Sequence, residues 1–229
     1  MFSFIQDLFA PNLCPCCRVQ SLHKGALWCV ACSYKLRATN FHELAENPVS
    51  QRLWGRVPLQ NAAALLPFVA GGMAQQLIHR LKYEGDAEVG RQLGRWYGSL
   101  LRDSSAWADI ERIVPVPLHP KKQLLRGYNQ ASMFAEGLAE MLGIGWSERD
   151  FVRTEYAESQ TKKGRTERLS NVQSAFAVAA AEQLRGKHIL LVDDVLTTGA
   201  TLEACANSLL EALPDLRLSI ACIAFASDF

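Results

Sequence analysis

One stretch restricts the fold more than any other: Ile189-Leu190-Leu191-Val192-Asp193-Asp194-Val195-Leu196-Thr197-Thr198-Gly199-Ala200-Thr201. Four consecutive large apolar residues suit a strand covered on both faces, as in a parallel sheet buried between helices. The strand delivers two adjacent carboxylates, a small hydroxyl-rich loop follows, and Leu202, Cys205, Leu209 and Leu213 then share one side of a helix. Ligands bind at the carboxyl ends of strands in such sheets, which is where this sequence puts its acids.

The chain from about residue 62 onward alternates in the same way. Met73, Leu77 and Leu81 mark one helix. Val89, Leu93, Trp96 and Leu100 mark a second, and Ala131, Phe134, Ala135, Leu138 and Leu142 a third. Ile113-Val114-Pro115-Val116-Pro117 reads as a short strand stopped by proline, and 216–226 as a closing strand. Strands separated by helices predict an α/β fold, a mostly parallel sheet with helices on both faces. Residues 1–60 are different: Cys-rich, turn-rich and weakly periodic. We therefore expect a small N-terminal segment at 1–60 and a larger domain at 61–229. A hydrophobic fraction of 49% with 21% charged residues excludes whole-chain disorder. Twenty-four Lys and Arg against 23 Asp and Glu exclude a globally basic nucleic-acid coat, though not a local basic patch. No run of 18 apolar residues predicts a membrane span. The opening Met-Phe-Ser-Phe-Ile-Gln-Asp7 has no basic n-region, so a cytoplasmic protein is expected.

Five of the seven cysteines lie between positions 14 and 32. Cys14, Cys17, Cys29 and Cys32 form two C-x2-C pairs, each able to place two thiolates on one turn. Two such knuckles make a closed tetrahedral S4 site that suits a structural zinc ion. A short segment poor in large apolar residues needs a staple of this kind. Cys16 lies inside the first pair and either competes with Cys14 or Cys17 as a ligand or is a surface thiol with no role; His23 reads as a surface histidine, with a substitute ligand as its alternative. Unrelated buried thiols or a redox dithiol are the plainer alternatives.

The loop 197–201 can turn several backbone N–H groups inward, adds hydroxyls, and lies at the positive end of the next helix. That is a socket for one phosphomonoester, formed by Thr197, Thr198, Gly199, Ala200 and Thr201. Asp193 and Asp194 cannot also hold phosphate, because like charges repel. They suit sugar hydroxyls, or water on a magnesium ion. A phosphate beside a diol describes a 5-phosphoribosyl group. The plainer alternative is a strand–turn–helix with an Asp cap. No G-x4-G-K-[ST] or G-x-G-x-x-G fingerprint is present.

Two further segments are cationic. His119, Lys121, Lys122 and Arg126 lie in a short proline-bounded loop between a strand and a helix, which suits a pyrophosphate; a solvated basic turn is the alternative. Gln160, Lys162, Lys163, Arg165 and Arg168 form a polar loop expected to fold over a bound polyphosphate. An exposed linker, or a basic patch for single-stranded nucleic acid beside Tyr156, are its alternatives.

The stretch 189–201 resembles the signature that type I phosphoribosyltransferases use for phosphoribosyl pyrophosphate (PRPP). Together with the two cationic segments, in this order behind an S4 cluster, it makes the chain similar to the ComF family. Leu81-Lys82-Tyr83-Glu84-Gly85-Asp86, Arg126-Gly127-Tyr128-Asn129-Gln130, and Gln160, Arg168, Asn171 and Phe176 carry the same resemblance. It implies a five-stranded, mostly parallel core sheet, PRPP carried with Mg2+, a structural Zn2+, and an association with DNA uptake. Asp193 and Asp194 would hold the ribose, 197–201 the 5′-phosphate, and the loop cations with Mg2+ the leaving pyrophosphate. No side chain is an obvious general base, and no signature reveals the acceptor. Two functions follow: an enzyme that transfers or hydrolyses a 5-phosphoribosyl group, or a non-catalytic PRPP- or nucleotide-sensing adaptor. The adaptor would contact single-stranded DNA or a DNA-uptake helicase; the near-zero net charge does not favour it.

Overall fold

A computed structural model of the chain describes residues 13–23, 26–154 and 175–226. The strands are β1 (Ala62–Pro67), β2 (Arg112–Pro115), β3 (Gly145–Trp146), β4 (Phe151–Arg153), β5 (Phe176–Val178), β6 (His188–Leu196) and β7 (Arg217–Phe225). The helices are α1 (Val30–Lys35), α2 (Pro48–Leu53), α3 (Met73–Tyr83), α4 (Ala87–Arg102), α5 (Pro120–Arg126), α6 (Gln130–Leu142), α7 (Ala181–Leu184) and α8 (Ala200–Ala212). Five strands form one sheet in the order β1-β7-β6-β2-β3, parallel at every pairing. β4 and β5 form a separate antiparallel pair.

The sheet is parallel because its central strands have apolar residues on both faces. Ile189 and Leu191 of β6 enter a core with Leu53 of α2 and Leu202, Cys205 and Leu209 of α8. Leu190 and Val192, pointing the other way, pack with Leu77 of α3, Leu93 of α4 and Phe134 of α6. The fold is therefore α/β with helices on both faces, as the sequence pattern implies. Val49, Leu53 and Val57 belong to the same core as the sheet. Asn47 fastens that region: its Oδ1 accepts from Val49 N–H at 2.9 Å, and its Nδ2 donates to the Ala62 carbonyl at 2.8 Å.

The second helical stripe requires a correction. The buried face of α4 is Val89, Leu93, Tyr97 and Leu101 with Gly90, Gly94 and Gly98, while Trp96 and Leu100 are only partly covered. The glycines set the face. A Cβ on Gly94 would lie 2.3 Å from the Phe134 carbonyl oxygen, and one on Gly137 of α6 would lie 2.2 Å from the Arg91 carbonyl oxygen. Two backbones approach this closely only where side chains are missing. Arg91–Glu136 and Arg95–Glu140 ion pairs, at 2.8 and 2.7 Å, flank the seam.

At the amino-terminal edge of the sheet, His188 bonds Asp109 through Nδ1 and Ser219 through Nε2, each at 2.8 Å. The arrangement has the connectivity of a nucleophilic triad. Ser219 is 0% and His188 1% exposed, so no substrate reaches the hydroxyl, and the network serves to satisfy a buried imidazole.

Candidate ligand site and cysteine cluster

The carboxyl end of β6 carries Asp193 and Asp194, both partly buried. The Asp194 N–H donates to Asp193 Oδ1 at 2.8 Å, and Lys82, from the end of α3, pairs with Asp194 Oδ1 at 2.8 Å. Burial first, and then the Asp194 charge, push the Asp193 carboxyl up to about 7, with Lys82 pulling the other way. One strand end thus holds the Asp194–Lys82 ion pair next to an acid whose carboxyl is pushed up toward neutrality. Perturbed carboxylates of this kind gather at functional sites.

The loop 197–199 leads directly into α8. Gly199 has φ +82°, and a Cβ there would meet Leu53 Cδ2 at 3.0 Å, so both conformation and crowding require glycine. Arg52 donates to the Thr197 carbonyl at 2.6 Å and Arg56 to the Thr198 carbonyl at 2.8 Å. Arg56 also pairs with Glu203 of α8. In a trans peptide the N–H points opposite the carbonyl. Turning these two carbonyls toward the guanidinium groups therefore turns the Thr198 and Gly199 N–H groups to the other side. With the first turn of α8 beyond them, the loop offers amide hydrogens and a positive helix end to an anion.

The cationic loop after β2 becomes α5. His119 caps it, its Nδ1 accepting from the Lys121 N–H at 3.2 Å, so one ring nitrogen is committed to the helix. Lys121 and Lys122 are exposed, as are Leu124 and Leu125. Arg126 lies over the Tyr83 ring, 5.4 Å from its centroid, and donates to Gln130 Oε1 at 2.6 Å. Asn129 caps α6 and donates to the Val116 carbonyl at 2.9 Å, tying this loop to the end of β2. Gln160, Lys162, Lys163, Arg165 and Arg168 lie outside the described residues.

The sulfurs of Cys14, Cys17, Cys29 and Cys32 all lie within 4.8 Å of one another, with Cys17 and Cys29 at 3.8 Å. Zinc–sulfur bonds of about 2.3 Å imply a tetrahedral sulfur–sulfur edge of about 3.8 Å, so the donor set fits a single metal ion. Backbone N–H bonds from Gln20 and Val19 bring the Cys17 thiol down to about 6. Burial, and then the neighbouring thiols, push Cys32 up, since crowded thiolates need a cation among them. Cys16 packs against this cluster without being one of its four converging sulfurs, its own sulfur lying 2.9 Å from Met73 Sδ, and His23 is exposed.

Sequence reasoning assigned no role to Lys82, Arg52 or Arg56. Lys82 had a signal, its place in the Leu81–Asp86 stretch that resembles the ComF family. The two arginines had none, since only folding brings them to a loop more than 140 residues away.

The profile of the phosphoribosyl transferase domain matches residues 129–228. "DNA utilization protein YhgH" of Salmonella typhi is 32% identical over 137 residues, 58% of this chain and 60% of that protein. "Competence protein F" of Haemophilus influenzae is 31% identical over 137 residues, with the same coverage. "Competence protein ComFC" of Bacillus subtilis is 34% identical over 140 residues, 61% of this chain and 54% of that protein. The chain is similar to these competence and DNA-utilization proteins over that part of its length. The match spans about 60% of the length of the Salmonella and Haemophilus relatives. A solved glutamine PRPP amidotransferase from B. subtilis, complexed with ADP and GMP, aligns with a TM-score of 0.46 at 17% identity, over 63% of this chain and 30% of that one. Among the described residues no helix is long and apolar enough to cross a membrane.

Proposed function

We propose that this chain is a ComF relative that binds PRPP with Mg2+ and transfers or hydrolyses its 5-phosphoribosyl group. The carrying observation is the acid pair at the end of β6, followed at once by an amide-lined loop at the start of α8. In this reading Asp193 and Asp194 accept from the ribose hydroxyls. The 197–201 loop takes the 5′-phosphate with its carbonyls restrained by Arg52 and Arg56. His119, Lys121, Lys122 and Arg126 face the pyrophosphate end. The bond from C1 of the ribose to the pyrophosphate oxygen breaks, and its electron pair leaves with the pyrophosphate. The acceptor's lone pair, or that of water, forms the new bond to C1 and releases a proton. Fixed cations lower the barrier by meeting charge where it develops. Mg2+ would bind the PRPP oxygens and neutralise the leaving group. The cysteine cluster would hold Zn2+ as a structural staple for the segment within 1–60 beside the 61–229 domain. A reduced S4 cluster supports a cytoplasmic location.

The adaptor reading has the site bind PRPP or a nucleotide and omits turnover. It is supported by the names of the relatives and by α5, which presents Lys121 and Lys122 beside exposed Leu124 and Leu125, a surface suited to single-stranded DNA or a helicase. Calorimetric titration with Mg–PRPP, followed by phosphorus NMR for pyrophosphate, tests both. Binding with pyrophosphate release supports the enzyme, and binding without release under any acceptor supports the adaptor. No binding of PRPP would end the enzyme reading, and no binding of either PRPP or a nucleotide would end both.

A further inference from the structure

The six residues from Leu81 to Asp86, with Arg80 before them, touch three different parts of the molecule. The Leu81 carbonyl accepts from Tyr128 Oη at 2.6 Å, and Tyr83 lies under Arg126, so the stretch is joined to the cationic loop. Lys82 reaches Asp194 at 2.8 Å. On the opposite side Arg80 donates to the Cys16 carbonyl at 3.0 Å and pairs with Asp86. Arg18, one residue beyond Cys17, pairs with Asp86 at 2.8 Å and Glu84 at 3.1 Å. Cys16 packs on Met73, at the start of α3. Arg80 is 8% exposed, so its contacts with Asp86 and the Cys16 carbonyl are shielded from solvent.

We propose that this stretch is a bracket through which the cysteine knuckle positions Lys82 at the acid pair, so that loading of the knuckle with metal tightens the ligand site. Lys82 acts through Asp194 and is a positioning residue. The linkage is short and made of directional contacts: knuckle backbone to Arg80, Arg80 and Arg18 to Asp86, and the intervening turn to Lys82. Metal that orders the knuckle would restrict Arg18 and the Cys16 carbonyl, and through them the turn that carries Lys82. Two sites become coupled when one structural element is biased by both.

The ligand half of the proposal rests on the PRPP reading, but the bracket has a readout that needs no ligand. The labelling rate of Lys82 by a lysine acylating reagent, followed by mass spectrometry, reports how firmly its ammonium is held. Asp86→Asn removes the shared acid. Arg18→Asn is a milder variant at an exposed position, and Asn tolerates the φ of +55° found there. Lys82 labelling should rise several-fold in Asp86→Asn and about twofold in Arg18→Asn, with Lys187 unchanged and the metal content preserved. Stripping metal with a chelator should raise it in the wild type and add little in Asp86→Asn. In parallel, Arg18→Asn should weaken PRPP binding by roughly two- to fivefold, the scale of an exposed ion pair. Lys82→Met should weaken it by roughly ten- to 100-fold, with partial rescue by Lys82→Arg. Unchanged Lys82 labelling in folded Arg18→Asn and after metal removal would overturn the bracket. A labelling response in a protein that binds no PRPP would instead leave the bracket standing and remove the PRPP reading.

Discussion

Asp193→Asn should make the protein more stable while removing ligand binding. Asp193 is raised from its ordinary value of 3.8 to about 7 by burial and by Asp194. A group whose folded value is raised contributes its full stabilisation below the unfolded value, near pH 4, and loses it as pH climbs through the folded value, near 7. At about 1.4 kcal/mol per pH unit the loss approaches about 4 kcal/mol. Asp193 is only partly buried, and solvent screening reduces this to about 2 kcal/mol. Asparagine keeps the shape and the oxygen that accepts the Asp194 N–H, and carries no charge. The variant should therefore unfold roughly 4 to 8 °C above the wild type at pH 8, using about 2 to 4 °C per kcal/mol for a chain of this size. The gain should shrink steadily and vanish near pH 4. Scanning calorimetry from pH 4 to 8.5 reads the difference. PRPP titration of the wild type should show affinity falling about tenfold for each pH unit below 7, because the ionised acid is the acceptor. Equal unfolding temperatures at pH 8, or a gain that does not change with pH, would refute the account of Asp193 as an acid held at a cost for binding.

Cys29→Ser should release one zinc per chain and expose the knuckle to proteolysis before the sheet domain, because metal affinity and local folding are coupled; a zinc-free wild type purified without chelator would contradict it. Gly137→Ala should cost about 3 kcal/mol or more, since its Cβ would lie 2.2 Å from a backbone oxygen that cannot move alone; denaturant unfolding within about 1 kcal/mol of the wild type would show that the seam between α4 and α6 relaxes.

Local pattern was enough wherever the chain itself carries the information. The run from Ile189 to Thr201 makes strand, loop and helix in that order, and its acids and glycine lie where the run places them. The two C-x2-C pairs converge, as their spacing implies. Three features were not legible, two of them because they depend on packing between distant residues. Periodicity counts apolar side chains, so Gly90, Gly94 and Gly98 left no trace in the stripe and the face of α4 was misjudged. The partner of Lys82 lies 112 residues away. His119 was assigned to a pyrophosphate, and the structure adds that its Nδ1 caps α5, a role set by the backbone geometry after Pro117.

The strand order also bears on how the molecule is made. β7 lies between β1 and β6, and contacts such as Asn61 with Ser219 join residues 158 apart. At about 5 to 20 residues per second, β1 leaves the ribosome roughly 8 to 30 seconds before its neighbour exists. Until then its run of Ala62, Ala63, Ala64, Leu65 and Leu66 has no sheet to join, and long-range parallel pairing is slow in any case. That apolar strand stays unpaired over this interval, while the contacts between α4 and α6 are already within the chain by residue 142.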